Sequence, residues 1–160
     1  PMANGHPIGA VITTNKIAES FNNGVEFFSS FGGNPISCAI GLSVLEVIEE
    51  EDLQKNAKDV GEYYISLLKK LQEKHKCIGD VRGRGLFIGI EIVKDNTTSP
   101  NKTLANKIKN ELRENNILVG TDGPNGNVLK TKPPLCFNKE NAKMVVRKID
   151  EILINNEKNQ

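Results

Sequence analysis

The stretch from Asp52 to Lys74 constrains the fold more than any other. Leu53, Ala57, Val60, Tyr64, Leu67, Leu68 and Leu71 recur there at i, i+3, i+4 and i+7 spacing, separated by charged and amide side chains. That period predicts a single amphipathic helix. A helix with one apolar stripe has to lay it against a second layer. The next residues supply one, because the period drops from 3.6 to 2. Phe87, Gly89 and Glu91 alternate with Ile88, Ile90 and Ile92, and Gly83-Arg84-Gly85 separates an earlier run, Cys77 to Arg82, from Leu86 to Val93. This predicts two strands around a tight turn. Leu104, Ile108 and Leu112 line a helix to about Asn115, with Ser99-Pro100 pairing a cap and a first-turn proline. Ile117 to Val119 is expected to be a short strand, 122–126 a turn cluster, and Val128 to Thr131 another strand stopped by Pro133-Pro134. Asn138 is expected to cap a last helix with Ala142, Val145, Val146, Ile149, Ile152 and Leu153 on one face, and the polar tail from Asn155 is expected to fray. Two strand pairs, each followed by a helix, make a small α+β unit with helices on one face of a mostly antiparallel sheet.

The first third of the chain has a different texture. Residues 1–9 are punctuated by Gly5, Pro7 and Gly9 and read as a loop. Ala10 to Thr13 is expected as a buried strand and Asn15 to Phe21 as a short helix. Asn22 to Gly33 reads as a loop. Asn34-Pro35 is a strong helix start, followed by Ile36, Ala39, Ile40, Val44, Val47 and Ile48 on one face. The acidic run Glu49 to Asp52 marks a break. Pro1 to Pro7 is neither a start methionine nor a signal peptide. The expectation is a fragment of a larger protein, in which residues 1–50 expose apolar surface around Phe27, Phe28 and Phe31.

Composition removes several function classes. With 21 basic against 20 acidic residues, the formal charge is +1, which gives no electrostatic reason to expect nucleic acid or an anionic membrane as a partner. The longest mostly apolar stretch, Ile36 to Ile48, is broken by Ser37, Ser43 and Glu46. Cys38, Cys77 and Cys136 are scattered and only His6 and His75 are available to join them, so no metal is expected. The cysteines read as reduced, packed thiols of an intracellular protein.

Three stretches are able to carry chemistry, and each has a plain structural alternative. The glycines and prolines of residues 1–9 let a backbone approach a ligand, or simply make a tight surface loop. Ser29-Ser30-Phe31-Gly32-Gly33-Asn34-Pro35 offers two hydroxyls beside a helix N-terminus, which suits a phosphate or an oxyanion, or it is a well-capped helix with a flexible entry. In Gly79-Asp80-Val81-Arg82-Gly83-Arg84-Gly85-Leu86, an arginine in a glycine-bounded bend presents a planar fork to a carboxylate or phosphate, or is a solvated hairpin arginine paired with Asp80.

Together, in this order, these stretches resemble the C-terminal part of class III (subgroup II) pyridoxal-phosphate aminotransferases. The residues that carry the resemblance are Pro1 to Val11, Ser30-Phe31-Gly32-Gly33-Asn34-Pro35 and Val81-Arg82-Gly83-Arg84-Gly85-Leu86, and it extends over essentially the whole chain. Within the family, Gly5-His6-Pro7, Asn56 to Gly61, Ile78 to Gly83, Gly85 to Ile90, Asp122-Gly123-Pro124 and Leu129 to Phe137 are most similar to the ethanolamine-phosphate and phosphohydroxylysine phospho-lyase branch.

The resemblance implies an α/β chain of fold type I. Residues 1–50 would be the end of the large domain that binds pyridoxal phosphate (PLP), 51–74 a linking helix, 75–155 a small C-terminal α+β domain and 156–160 a polar tail. It also implies a homodimer or higher oligomer with the active site at the subunit interface, a small-molecule amine substrate, and a mitochondrial-matrix or cytoplasmic location. Ser30 would hydrogen-bond the cofactor phosphate of the neighbouring subunit, and Ser29 and Phe31 beside it would also bind the cofactor. Arg82 would hold a substrate α-carboxylate, which phosphohydroxylysine has and ethanolamine phosphate lacks. The Schiff-base lysine of the family falls directly before the position of Pro1, so no catalytic residue is assigned within the chain and the chain alone is expected to be inactive. Ala3 stands where a glycine is usual. The activity implied is elimination of phosphate and ammonia. The alternatives are amino transfer from an ω- or α-amino acid to pyruvate or glyoxylate, and a non-catalytic truncated product.

Overall fold

A computed structural model describes residues 2–158; Pro1 and the last two residues of the polar tail, 159–160, lie outside the described residues. Among the described residues, five helices and four strands run in the order α1 (Asn15–Phe21), α2 (Pro35–Glu50), α3 (Leu53–Lys74), β1 (Ile78–Arg84), β2 (Phe87–Ile92), α4 (Lys102–Glu114), β3 (Gly120–Asp122), β4 (Val128–Thr131) and α5 (Lys139–Lys158). The chain divides into two units, residues 1–52 and 53–160.

The second unit is the α+β arrangement that the period change requires. Its sheet has the order β1-β2-β4-β3, and every neighbouring pair is antiparallel. Helices α3 and α4 pack on the sheet, and α5 packs against both of them. The core gathers Tyr64, Leu68 and Leu71 from α3, Ile88, Ile90 and Ile92 from β2, Ile108 and Leu112 from α4, and Ile149 and Leu153 from α5. Each fully buried aliphatic side chain contributes roughly 1.5–3 kcal/mol relative to exposure. The helix expected as a link thus supplies the C-terminal half of its apolar stripe, Tyr64, Leu68 and Leu71, to this core.

The turn between β1 and β2 explains the glycines of the Arg-Gly-Arg-Gly motif. Gly85 sits at φ +54, in the left-handed region. An added Cβ on Gly61 of α3 would overlap the Gly85 carbonyl, so the helix and the hairpin turn approach through two glycines.

The first unit is built differently. Asn34 caps α2, its Oδ1 accepting from the N–H groups of Ile36 and Ser37 at 3.1 Å each. The Asn4-Gly5 turn closes with the His6 N–H donating to the Ala3 carbonyl at 3.1 Å, with φ +47 and +119 at its centre. Among the described residues of this unit, only Ala3 and Gly41 are buried. Phe27, Phe28 and Phe31 stand in the open, as the sequence leads one to expect.

Several local expectations are corrected. Residues 10–13 form no strand, and Val11 and Ile12 are almost fully exposed, because within the unit their apolar run meets no second layer. The strand expected at 117–119 is instead Gly120–Asp122. Asn116 at φ +61 ends α4, Ile117 and Val119 pack against the core, and the ladder begins where Gly120 meets Lys130. The cap of α4 is Asn101, whose Oδ1 accepts from the Leu104 N–H at 3.0 Å, while Pro100 bridges back to Val93. Residues 155–158 continue α5 rather than fraying. Of the three cysteines, Cys77 is buried, whereas Cys38 and Cys136 are exposed. Burial, with the charges of Asp95 and Glu157, pushes the Cys77 thiol up to about 11, which makes it an inert packing group.

Candidate functional site

In the first unit, Ser29, Ser30 and Phe31 occupy the turn that leads into α2. Ser29 is already committed, its Oγ accepting from the Gly32 N–H at 3.0 Å. The Phe31 carbonyl accepts from the Asn34 N–H at 3.2 Å across Gly33, which sits at φ +70. Ser30 is exposed, and its hydroxyl has no hydrogen-bond partner among the described residues. The Phe31 ring is also in the open.

The start of α2 does not offer free N–H groups to an anion, which corrects one part of the sequence reading. Pro35 has none, Ile36 and Ser37 donate to the Asn34 side chain, and Cys38 donates to the Asn34 carbonyl at 2.9 Å. The hydroxyl of Ser30 is therefore the polar side-chain group that this turn leaves for a phosphate. The residues present fit such a ligand through a hydroxyl and an open flank, not through a helix terminus.

Arg82 lies in the second unit, on the sheet face opposite the helices. Strand alternation places Asp80, Arg82, Phe87, Gly89, Glu91, Val128, Lys130 and Asp122 on that face. The guanidinium is not free. Its Nη1 donates to Asp80 Oδ2 and to Glu91 Oε2, both at 2.7 Å. The hydrogen bonds it donates to Asp80, then to Glu91, raise its pKa further above the ordinary arginine value. Nε and Nη2 make no hydrogen bond among the described residues, so part of the fork still faces outward.

Lys130 is a second cation on this face, and the sequence reading did not single it out. The cross-strand register runs Arg82 to Gly89 and Gly89 to Lys130, so the two cations flank a glycine. Gly89 has no side chain of its own, and Val128 Cγ1 reaches into the space between them, 3.1 Å from where a Cβ on Gly89 would lie. Lys130 is paired with Asp122, whose carboxyl is held below its ordinary value by the Lys130 hydrogen bond, the Gly123 N–H and the Lys130 charge. The pairing of Gly89 with Lys130 and of Glu91 with Val128 turns Lys130 to the same side as Glu91. Besides Arg84 at the hairpin end, paired across from Phe87, the face carries the cations Arg82 and Lys130 against three carboxylates, Asp80, Glu91 and Asp122. Such a surface suits a small zwitterion better than a simple anion.

No group of His, Cys, Asp and Glu among the described residues is arranged to hold a metal ion. No described helix is long and apolar enough to cross a membrane.

Comparison with known proteins fits this geometry. The family model for aminotransferase class III matches residues 1–153. An alanine–glyoxylate aminotransferase 2-like protein of Drosophila melanogaster is 51% identical over 89% of the chain and 29% of its own length. Ethanolamine-phosphate phospho-lyase homolog 1 of Caenorhabditis elegans is 45% identical over 96% of the chain and 33% of its own length. Among solved structures, a phospholyase from Arthrobacter in complex with phosphoethanolamine superposes with a TM-score of 0.92 at 40% identity, over 96% of this chain and 37% of that one. The chain thus spans about a third of the length of the proteins it matches. Its fold is that of the C-terminal part of fold-type I enzymes, whose cofactor is pyridoxal phosphate. The chain belongs to the aminotransferase class III family.

Proposed function

We propose that this chain forms the C-terminal third of a PLP-dependent phospho-lyase that releases phosphate and ammonia from a small phosphorylated amine, ethanolamine phosphate or phosphohydroxylysine. The observation that carries the reading is the superposition, at a TM-score of 0.92, on a phospholyase holding phosphoethanolamine. In this proposal residues 1–50 complete the cofactor-binding large domain and 75–155 form the small domain. The protein works as a homodimer or higher oligomer, and the lysine that anchors the cofactor precedes Pro1. The chain alone is inactive because it lacks that lysine.

When bound, PLP supplies an electron sink for the carbon that bears the amine. The chain's own residues do the rest of what is proposed here. Ser30 donates its unspent hydroxyl to the cofactor phosphate of the neighbouring subunit, and Ser29 holds the turn that aims it, through its bond to Gly32. Phe31 covers the flank of the phosphate from water. Arg82 and Lys130 face the substrate from either side of Gly89, and the charge-assisted pairs with Asp80, Glu91 and Asp122 fix both cations in place. A substrate carboxylate would have to share Arg82 with two resident carboxylates.

The test uses the full-length protein with PLP, incubated separately with each substrate, and measures released inorganic phosphate. Cofactor-dependent release establishes the lyase. The second reading is an aminotransferase, favoured by the 51% identity to the Drosophila relative. It predicts amino transfer to pyruvate or glyoxylate with no phosphate released.

A further inference from the structure

We infer that the hydrogen bond between His6 and Ser37 is a positioning clasp, locking the loop that follows the cofactor-anchoring lysine onto the helix whose leading turn carries Ser30. The inference rests on the reading above for where that lysine lies and what Ser30 holds.

His6 Nε2 and Ser37 Oγ lie 2.8 Å apart in a partly buried position. Every other side-chain hydrogen bond within described residues 2–51 joins residues four apart or fewer; this one spans 31. It is therefore the long-range polar tie of a region that buries almost nothing. Ser37 is the third residue of α2, and its own N–H is already spent on the Asn34 cap. Its hydroxyl is the group left to reach the loop. On the other side, His6 is held by the closed Ala3–His6 turn, with Ala3 buried beneath it.

One helical turn beyond Ser37, on the same face of α2, is Gly41. A Cβ there would come within 3.4 Å of Ile8 Cδ1 and 3.7 Å of Met2 Cε. The loop thus meets α2 at two successive turns, by a polar contact at Ser37 and by close apolar approach at Gly41. The cap that precedes Ser37, Asn34, is also bonded to Phe31 next to Ser30. Opening loop, α2 and the Ser29–Gly33 turn are one mechanical piece. In the proposed dimer this piece ties one subunit's lysine to the hydroxyl that grips its neighbour's cofactor phosphate.

The experiment uses the full-length protein with Ser37→Ala, Ser37→Thr and His6→Gln, read by amide exchange and by the rate of PLP release, followed through cofactor fluorescence. Alanine is a better helix former than serine, so propensity does not by itself loosen α2. Ser37→Ala is expected to speed exchange at residues 3–6 and 29–33 and to raise the release rate roughly three- to tenfold, the effect of one net hydrogen bond. Ser37→Thr keeps the hydroxyl, and His6→Gln keeps a hydrogen-bonding side chain; both are expected to restore the two readouts. The clasp is overturned by unchanged exchange at 3–6 in Ser37→Ala, by loosening that spreads equally through 53–158, or by failure of Ser37→Thr to rescue. If the full-length protein binds no PLP, the functional reading falls, and the exchange pattern still decides the clasp.

Discussion

Helices α2 and α3 are joined by two residues, and their side chains meet opposite fates. In α3, Val60, Tyr64, Leu68 and Leu71 are 0–5% exposed. In α2, Ile36, Leu42, Leu45 and Val47 are 44–71% exposed, although α2 is the more apolar of the two. A helix that is apolar around much of its circumference has the sequence of one buried on several sides, while an amphipathic helix needs a single partner layer. The second unit contains the layer α3 needs. The first unit does not contain the layers α2 needs, apart from the opening loop at Ser37 and Gly41. Formation of a helix is thus a local matter of cap and propensity, and burial is a matter of what surrounds it.

The sharpest way to break this comparison is to delete equal side chains from both helices. Leu68→Ala is expected to cost about 2–5 kcal/mol, read from urea unfolding, because it leaves a cavity in a close-packed core. Leu42→Ala in the same chain is expected to change stability by less than about 0.5 kcal/mol. Repeated in the full-length protein, Leu42→Ala is expected to rise to about 2 kcal/mol. An equal cost in both settings would show that α2 needs no further cover.

Gly61→Ala probes the close approach of α3 to the hairpin. On propensity alone the change should stabilise a helix by up to about 1 kcal/mol. Here the new methyl group would overlap the Gly85 carbonyl, and a net loss of about 1–3 kcal/mol is expected in thermal or urea unfolding. A gain would mean that helix and turn separate at no cost.

Asn34→Ala carries the comparison back to the first unit. It removes the acceptor for the Ile36 and Ser37 N–H groups, and a loss of about 1 kcal/mol of local helix stability is expected. The readout is faster amide exchange confined to α2 and the 29–33 turn. Exchange that also quickens in α3 would show that the two units unfold together.

How far the sequence was legible follows the same division. The second unit was readable almost element by element, since the 3.6 and 2.0 periods there report a core that is present. The errors at 117–119 and 99–100 came from reading apolar residues as strand and Ser-Pro as a cap, where turn geometry at Asn116 and the Asn101 side chain decided otherwise. In the first unit the helix starts were legible from Asn34-Pro35, but the strand assigned to 10–13 was not supported, because an apolar run fixes no conformation without something to pack on. The family was legible from three glycine-rich stretches. Lys130 was missed because its role depends on cross-strand register with Gly89, and register is set only when the sheet forms.

The smallest effect tests the charged seam between α3 and α5. Lys74 Nζ contacts both oxygens of Asp150 at 2.7 Å, His75 Nε2 lies 2.6 Å from Asp150 Oδ1, and His75 Nδ1 lies 2.8 Å from Glu157 Oε1. Partial burial works to raise the Asp150 pKa, but hydrogen bonds from His75 and Lys74, together with their charges, outweigh it and hold the carboxyl below its ordinary value. A depressed folded-state pKa means that the unfolded chain takes up a proton first on acidification. The contribution is therefore complete above the unfolded carboxylate range and is lost as pH falls through the lower folded-state value. Asp150 is partly solvated, so the effect is expected to be about 1 kcal/mol or less. Urea midpoints measured from pH 6 down to pH 3 should converge for the parent chain and Asp150→Asn at the acid end and differ at the neutral end. Parallel curves at every pH would show that the seam acts through packing rather than charge, leaving the second unit's stability as independent of ionisation as its apolar core.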